Sequence, residues 1–330
     1  MKNQGKTLII GAGISGLITG KILSQAGHEV TVLEKSRGIG GRMATRRFKN
    51  GVFDHGAQFF TARDPQFQHW VDLWVQQKTA LEWTRNFSKS GDFPEGRGHP
   101  RYRGAHGMTA IPKELSQGLD IHLQTRVESI SKDGERWNAQ TDRGIDFSAN
   151  QLVLTAPVPQ SLSLLKTGGV ALPEYELERL QSIQYQPCIA VLVLLNGPSK
   201  IPAPGGIKLD NGPIQWLADN NQKGISPKAT AVTIHASADF SLQYFDLIPD
   251  QLAETLFTAA APWLGDDIQD WQLHKWRYSQ PAQIYPERFL EIPVSPPLFF
   301  AGDAFGGPRV EGAALSGMAV ASHLREMLDQ

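Results

Sequence analysis

The chain has 330 residues, more than one compact core of ordinary size holds and about right for two domains. Hydrophobic residues make up 41% and charged residues 20%, and 32 basic side chains face 33 acidic ones, so no overall field points to nucleic acid or a membrane surface. A single cysteine, Cys188, excludes an internal disulfide and a cysteine metal cluster.

In chain order, residues 7–10 read as a buried strand and Ile14 to Ala26 as a helix stopped by Gly27. Glu29 to Leu33 form a second strand, which completes one strand–helix–strand unit. Asp64-Pro65 starts a further helix, with aspartate as cap and proline in the first turn. Phe67, Trp70, Val71, Trp74 and Val75 then recur at helical spacing and read as core packing rather than a ligand cage. Residues 120–155 read as short strands with a turn at Asp133-Gly134. Stretches rich in proline and glycine at 197–206 and 293–308 mark loops, and 187–195, 213–218, 229–236 and 268–278 read as strands. The tail from Glu311 to Leu328 is a long helix. The longest apolar run, Ile189 to Leu195, is of strand length and far short of a membrane span. The glycine spacing near the N-terminus and the lack of a small-residue cleavage site argue against a signal peptide, so a soluble cytoplasmic protein is expected.

The stretch "GAGISG" at 11–16 carries the chemistry. Gly11 permits the tight turn out of the strand, Gly13 lets backbone approach a pyrophosphate, and Gly16 lets helix and strand pack closely. With Ala12, Ile14 and Ser15 these residues form a helix start whose N–H groups and partial positive charge suit phosphates. Glu34 ends the second strand, where an acid accepts hydrogen bonds from an adenosine ribose with a free 2′-hydroxyl. Dinucleotide binding follows, with NAD and FAD both still open.

The sequel separates them. "KSRGIGGRMATRR" continues from Glu34 with Gly40-Gly41-Arg42, and "LFFAGDAFGG" late in the chain is an apolar strand ending in Gly302-Asp303. This order resembles FAD oxidoreductases having a glutathione-reductase-like FAD domain. The resemblance implies that Arg42 meets the pyrophosphate and Asp303 the ribityl chain. It also implies cofactor contacts from Lys35, Gly41, Met43 and Val127. A helix starting near Glu311 or Gly312 would stabilise negative charge on the flavin pyrimidine edge, with Val310 beside it and with Gly312 and Ala313 small enough for close approach.

"GRMATRR…FDHGAQFFTARDPQF" (41–67), "PRYRGAHGMTAIPKEL" (100–115), "HKWRYSQP" (274–281) and "FFAGDAFGGPRVEGAALSG" (299–317) together resemble the renalase family, a branch beside the flavin amine oxidases. The family implies noncovalent FAD and an α/β fold: a Rossmann FAD domain with a second, sheet-rich substrate domain, p-hydroxybenzoate-hydroxylase-like. The expected division is 1–62, 103–158 and 290–330 for FAD, and 63–102 and 159–289 for substrate. The implied reaction is oxidation of 2- or 6-dihydro isomers of NAD(P)H by hydride transfer to flavin N5, with O2 taking the electrons to give hydrogen peroxide. No metal, nucleic acid or membrane partner is expected. By the same resemblance Gly56, Ala57 and Gln58 lie at the flavin, and Gln58, Phe59, Asn220, His235, Trp276 and Tyr278 lie at the substrate.

His235 would bond the carboxamide or a ribose, and a histidine satisfied by backbone is the competing reading. Lys275 invites comparison with an amine oxidase lysine, yet in a strand it faces away if Trp276 and Tyr278 face the pocket. Arg97, Arg101 and Arg103, with His99 and His106, form a basic rim for a substrate pyrophosphate, a solvated loop, or a set of arginines that serves the phosphates of FAD itself. The alternatives are an amine oxidase or desaturase-type enzyme and, in another class, a noncatalytic dinucleotide-binding sensor.

Overall fold

The computed structural model describes residues 5–87, 98–265 and 267–329. The chain divides into two compact units, Met1–Gly41 with Pro112–Gln184 and Pro281–Gln330, and Arg42–Ile111 with Tyr185–Gln280.

The first unit is built on a six-stranded sheet in the order Leu290–Ile292, Leu298–Phe300, Gln151–Leu154, Thr7–Ile10, Val30–Leu33, Asp120–His122. All neighbours pair in parallel except the edge strand Leu290–Ile292, which runs antiparallel. Thr7–Ile10, Val30–Leu33 and Gln151–Leu154 are buried at every position, and a parallel strand covered on both faces requires such continuous apolarity. The helix Ile14–Gln25 packs against the C-terminal helix Arg309–Asp329 through small residues. Thr19 Oγ1 donates to the carbonyls of Ser15 and Gly317, at 2.9 and 3.0 Å, and a Cβ on Gly317 would stand 2.4 Å from the Ser15 carbonyl oxygen. Beside the main sheet lies a three-stranded antiparallel one, whose turn at Gly134 has the left-handed φ of 55° foreseen for it. The strand Leu298–Phe300 lies inside the stretch 293–308 that composition marks as loop, because three buried apolar residues there complete the sheet.

The second unit carries a five-stranded sheet in the order Gly206–Lys208, Ile214–Asp219, Thr230–Ala236, Tyr185–Leu195, Ile268–Pro281. Its strands alternate. Val191, Val193, Val232 and Ile234 join one core with Leu252, Leu256 and Ala260 of the helix Pro249–Leu264. Leu192, Leu194 and Ala231 meet Phe53 of the hairpin strand Gly51–Asp54 on the other face. Asp64 caps the helix Pro65–Gln76 by accepting from the Gln66 N–H at 2.9 Å, as its sequence predicts. Phe67, Val71 and Trp74 of that helix are buried, whereas Val75 is exposed.

The unit boundaries differ from those expected. Residues 42–62 and 103–111 belong to the second unit, because Phe53 fills its core and the strand Arg101–Gly104 pairs with Ala80–Thr84. Residues 159–184 and 281–289 belong to the first. Gly168 lies where a Cβ would stand 1.8 Å from the Ile130 carbonyl oxygen, and Tyr285 N–H donates to the Ala304 carbonyl at 2.7 Å.

Candidate active site

In the first unit, Gly11, Glu34, Thr155 and the run Ala301-Gly302-Asp303 follow directly on neighbouring parallel strands. They therefore share the carboxyl edge of the sheet at the point where strand order reverses, the place where open α/β sheets bind ligands. Gly11 has φ +111° and its carbonyl, like that of Ile10, accepts from Thr155 Oγ1 at 3.0 Å. Gly13 stands at the N-cap of the helix Ile14–Gln25 with no side-chain cap, and a Cβ added there meets nothing within 4 Å. The first-turn N–H groups thus face open space, and the buried Ser15 hydroxyl beside them is without a partner. This is a cradle suited to a pyrophosphate.

Glu34 is buried, and its carboxylate already accepts the N–H of Ala12 at 3.0 Å and of Ser36 at 2.8 Å. It ties the glycine turn to the second strand and keeps further lone pairs for ribose hydroxyls. The glycine-rich loop closes on the same turn, since Gly40 N–H donates to the Ala12 carbonyl at 2.8 Å and Gly41 has φ +51°. Asp303 is buried, and the Gly302 N–H before it donates to Ser316 Oγ of the C-terminal helix at 2.8 Å. That helix starts at Arg309, just before the expected Glu311 or Gly312. The small size of Gly312 has a use in the protein itself, because a Cβ there would stand 1.9 Å from the Gly307 carbonyl oxygen. Val310 and Ala313 are buried beside it. Val127 is buried opposite Thr141, and Lys35 donates to Gln160 Oε1 at 3.0 Å.

In the second unit, the segment 54–58 is fastened to the strand Thr230–Ala236 and to neighbouring loops. The His55 carbonyl accepts from His235 Nε2 at 3.1 Å and from Trp276 Nε1 at 2.9 Å. The Asp54 carbonyl accepts from Thr233 Oγ1 at 3.0 Å and from Gln58 Nε2 at 2.5 Å. The Asp54 carboxylate accepts from Thr45 Oγ1 at 2.6 Å, Met108 N–H at 2.8 Å and Lys223 Nζ at 2.7 Å. Both partners of this Asp54–Lys223 ion pair have 0% side-chain exposure. Lys223 also lies 4.9 Å from the Trp83 ring. Burial lowers the Lys223 pKa, against which Asp54 acts.

Burial likewise pushes the pKa of His235 down to about 4, and burial with the nearby His274 and Arg46 pushes that of His55 down to about 3. Both rings are neutral at pH 7. The His55 ring lies with those of His274 and Trp276 at centroid distances of 5.1 Å to each, and its Nδ1 is buried without a partner.

Sequence reasoning places Asn220 at the substrate, whereas the structure buries its amide completely. Its Nδ2 donates to the Ala231 carbonyl and Thr233 Oγ1, at 2.9 and 3.0 Å, and its Oδ1 accepts from the Asp54 N–H at 3.4 Å. It acts as a brace for the segment, with no surface for a ligand. His235 combines both readings given for it: one ring nitrogen is satisfied by backbone, and the residue keeps 9% exposure. Gln58 Nε2 also serves its own turn, donating to the Gly56 carbonyl at 3.2 Å, while Gln58 Oε1 is buried without a partner. Ala57 N–H donates to the Arg42 carbonyl at 2.8 Å, and Gly56 is required there because a Cβ would stand 2.1 Å from the same oxygen. The Arg42 guanidinium donates to the Ser279 carbonyl at 3.2 Å, and Met43 is buried.

Phe59 packs with Trp83, Phe87 and Trp216, and Tyr278 with Tyr185. Trp276 and Lys275 face opposite ways as the strand demands, and Lys275 Nζ donates to the carbonyls of Phe245 and Leu247, at 2.5 and 2.7 Å. Arg97 lies outside the described residues. Arg101 lies over the rings of Phe59 and Phe87, and Arg103 donates to the carbonyls of Gly104 and Ala105, so both side chains are held by groups of the protein itself. Sequence reasoning missed Lys223 entirely. In "NNQKGIS" it reads as a loop lysine, and only the fold brings it to Asp54. Among the described residues no three His, Cys, Asp or Glu side chains group as a metal site, and no helix is long and apolar enough to cross a membrane.

A cradle suited to a pyrophosphate at the carboxyl edge of a parallel sheet, in a chain that also carries a sheet-rich unit, fits the class of flavin-dependent oxidoreductases. The chain belongs to the flavin containing amine oxidoreductase family, which matches residues 89–325, and an NAD(P)-binding Rossmann-like domain matches residues 9–76. It is 23% identical to renalase of Mus musculus over 98% of this chain and 100% of that one, and is a renalase-like member of the family. It is a flavin-dependent oxidoreductase. Two solved structures share the fold. Putrescine oxidase bound to putrescine superposes with TM-score 0.73 at 14% identity, over 97% of this chain and 99% of that one. A CLA-producing fatty acid isomerase from P. acnes gives TM-score 0.71 at 13% identity, over 98% and 99%.

Proposed function

We propose that the enzyme oxidises 2- or 6-dihydro isomers of NAD(P)H to NAD(P)+. The observation that carries this reading is the state of the candidate bases. Lys275 is bound by two backbone carbonyls, and His235 and His55 are held as neutral, weakly basic rings. Amine oxidation leaves a proton to be managed, so it benefits from a positioned base. A dihydropyridine becomes aromatic as it loses hydride, so orientation alone suffices. A bound flavin would supply a hydride acceptor at N5, and its reoxidation by O2, with one proton taken from solvent, would yield hydrogen peroxide.

In this reading FAD is held noncovalently, with its pyrophosphate at Gly11–Gly16, its adenosine ribose at Glu34 and its ribityl chain at Asp303. The buried Cys188 thiol, raised to about 12 by burial, is unsuited to a flavin bond. His235, Trp276 and Phe59 would orient the nicotinamide. A second reading, monoamine oxidation, has the family match behind it.

Anaerobic mixing with 6-dihydro-NAD, 2-dihydro-NAD and a panel of monoamines separates the two. Rapid bleaching of the flavin by a dihydro isomer is expected, and bleaching by amines alone would overturn the proposal. Acid precipitation is expected to release FAD into the supernatant, and a yellow pellet would exclude noncovalent binding.

A further inference from the structure

We propose that the buried Asp54–Lys223 pair is a positioning device. By fixing residues 54–58 over the strand Thr230–Ala236, it holds the His55 carbonyl on Nε2 of His235, so that His235 offers Nδ1 to the substrate as a hydrogen-bond acceptor. The inference deepens the proposed function and rests on it where it concerns substrate.

The contacts concerned all lie within one unit. A carbonyl oxygen only accepts, so the 3.1 Å contact from His235 Nε2 to the His55 carbonyl places the ring proton on Nε2. Nδ1 is left with a lone pair. The His55 carbonyl is held in place by its second donor, Trp276 Nε1, and by the anchoring of Asp54 just before it. That anchoring has two parts: the Lys223 ammonium on the Asp54 carboxylate at 2.7 Å, and the Thr233 hydroxyl on the Asp54 carbonyl at 3.0 Å. Thr233 lies two residues from His235 on the same strand face, so the segment and the histidine are set by one local framework. Fully buried charges are costly, and a pair kept at 0% exposure for both partners needs a use beyond packing. An acceptor at Nδ1 pairs with the N–H of a carboxamide and has no partner in an acetyl group of similar shape.

The test uses flavin-loaded protein labelled with 15N-histidine. Long-range proton–nitrogen correlation reads which ring nitrogen carries the proton, and His235→Gln identifies the signal. Wild type is expected to show the Nε2–H form near pH 7; an Nδ1–H form would overturn the proposal. The variant carrying both Asp54→Asn and Lys223→Met removes both charges while keeping volume. It is expected to fold and hold FAD, yet show mixed tautomers. Wild type should also prefer 6-dihydro-NAD over the 6-dihydro acetylpyridine analogue by at least about tenfold in kcat/KM. That preference should fall to within about threefold in the double variant and in His235→Leu. A folded double variant with unchanged tautomer and preference would show the pair to be structural only. If it does not fold, Thr233→Val reads the same two quantities with the charges intact. If amines alone reduce the flavin while the tautomer results hold, the substrate reading fails and the positioning role stands.

Discussion

A Cβ placed on Gly16 would stand 2.1 Å from the carbonyl oxygen of Gly11, whereas one placed on Gly13 would meet nothing within 4 Å. The glycines of one motif therefore serve different ends, Gly16 the packing of helix on strand and Gly13 the approach of a ligand. Gly16→Ala is expected to lower the thermal midpoint by more than about 5 °C through forced backbone displacement. Gly13→Val is expected to leave the flavin-free midpoint within about 2 °C yet strongly reduce the ratio of flavin to protein absorbance, because the side chain fills the cradle. Equal loss of stability in both variants would contradict this division.

Lys275 holds the turn at Phe245 and Leu247 rather than a substrate. Lys275→Met is expected to change the rate of anaerobic flavin reduction by less than about threefold, with a modest fall in thermal midpoint from the loss of charge-assisted hydrogen bonds. A loss of a hundredfold or more in reduction rate would place this lysine in the chemistry.

Stability should depend on pH through His235. Its pKa falls from 6.5 to about 4 on folding, so the unfolded chain takes up the proton first. The contribution is full above about pH 6.5 and is lost progressively as pH falls towards 4, reaching about 3 kcal/mol for this one ring. His55 acts in the same direction. Urea titrations at pH 7 and pH 5 should show the lower midpoint at pH 5, and His235→Gln should make the difference smaller while His55 maintains the rest. A midpoint that rises on acidification would contradict the assignment.

Cys188 lies on a buried strand with its thiol raised to about 12, so almost no thiolate exists at pH 8. A disulfide reagent is expected to leave the native protein unmodified over hours and to titrate one thiol after denaturation. Fast reaction of the native form would show that this strand opens.

Asp303→Ala is expected to yield folded protein depleted of FAD, since Asp303 stands at the carboxyl edge of the sheet with Gly11 and Glu34. Full flavin occupancy in this variant would remove Asp303 from the cofactor contacts.

The glycine turn of the first unit was legible in the sequence, because its signals are local. Gly11, Gly13 and Gly16 act through backbone angles and close approaches within one turn, and Glu34 reaches Ala12 across a single strand–helix–strand unit. The C-terminal helix was legible in the same way, whereas the strand Leu298–Phe300 is a short apolar run inside a stretch that composition marks as loop. The alternation of Lys275 and Trp276 needs only the two-residue period of a strand.

The substrate half was decided by tertiary structure. Resemblance places Asn220 at the substrate, and the fold buries its amide and bonds it to Asp54, Ala231 and Thr233. Lys223 reads as a surface lysine, and the fold carries it across the unit to a fully buried carboxylate. Which ring nitrogen of His235 bears a proton depends on a carbonyl 180 residues away in sequence. The sequence by itself determined the first strand–helix–strand unit, its glycine turn and the C-terminal helix, since propensity, glycine backbone freedom and periodicity act over a few residues. Partner, burial and protonation state of the polar side chains were left to tertiary packing, because they depend on long-range neighbours and on the water those neighbours exclude.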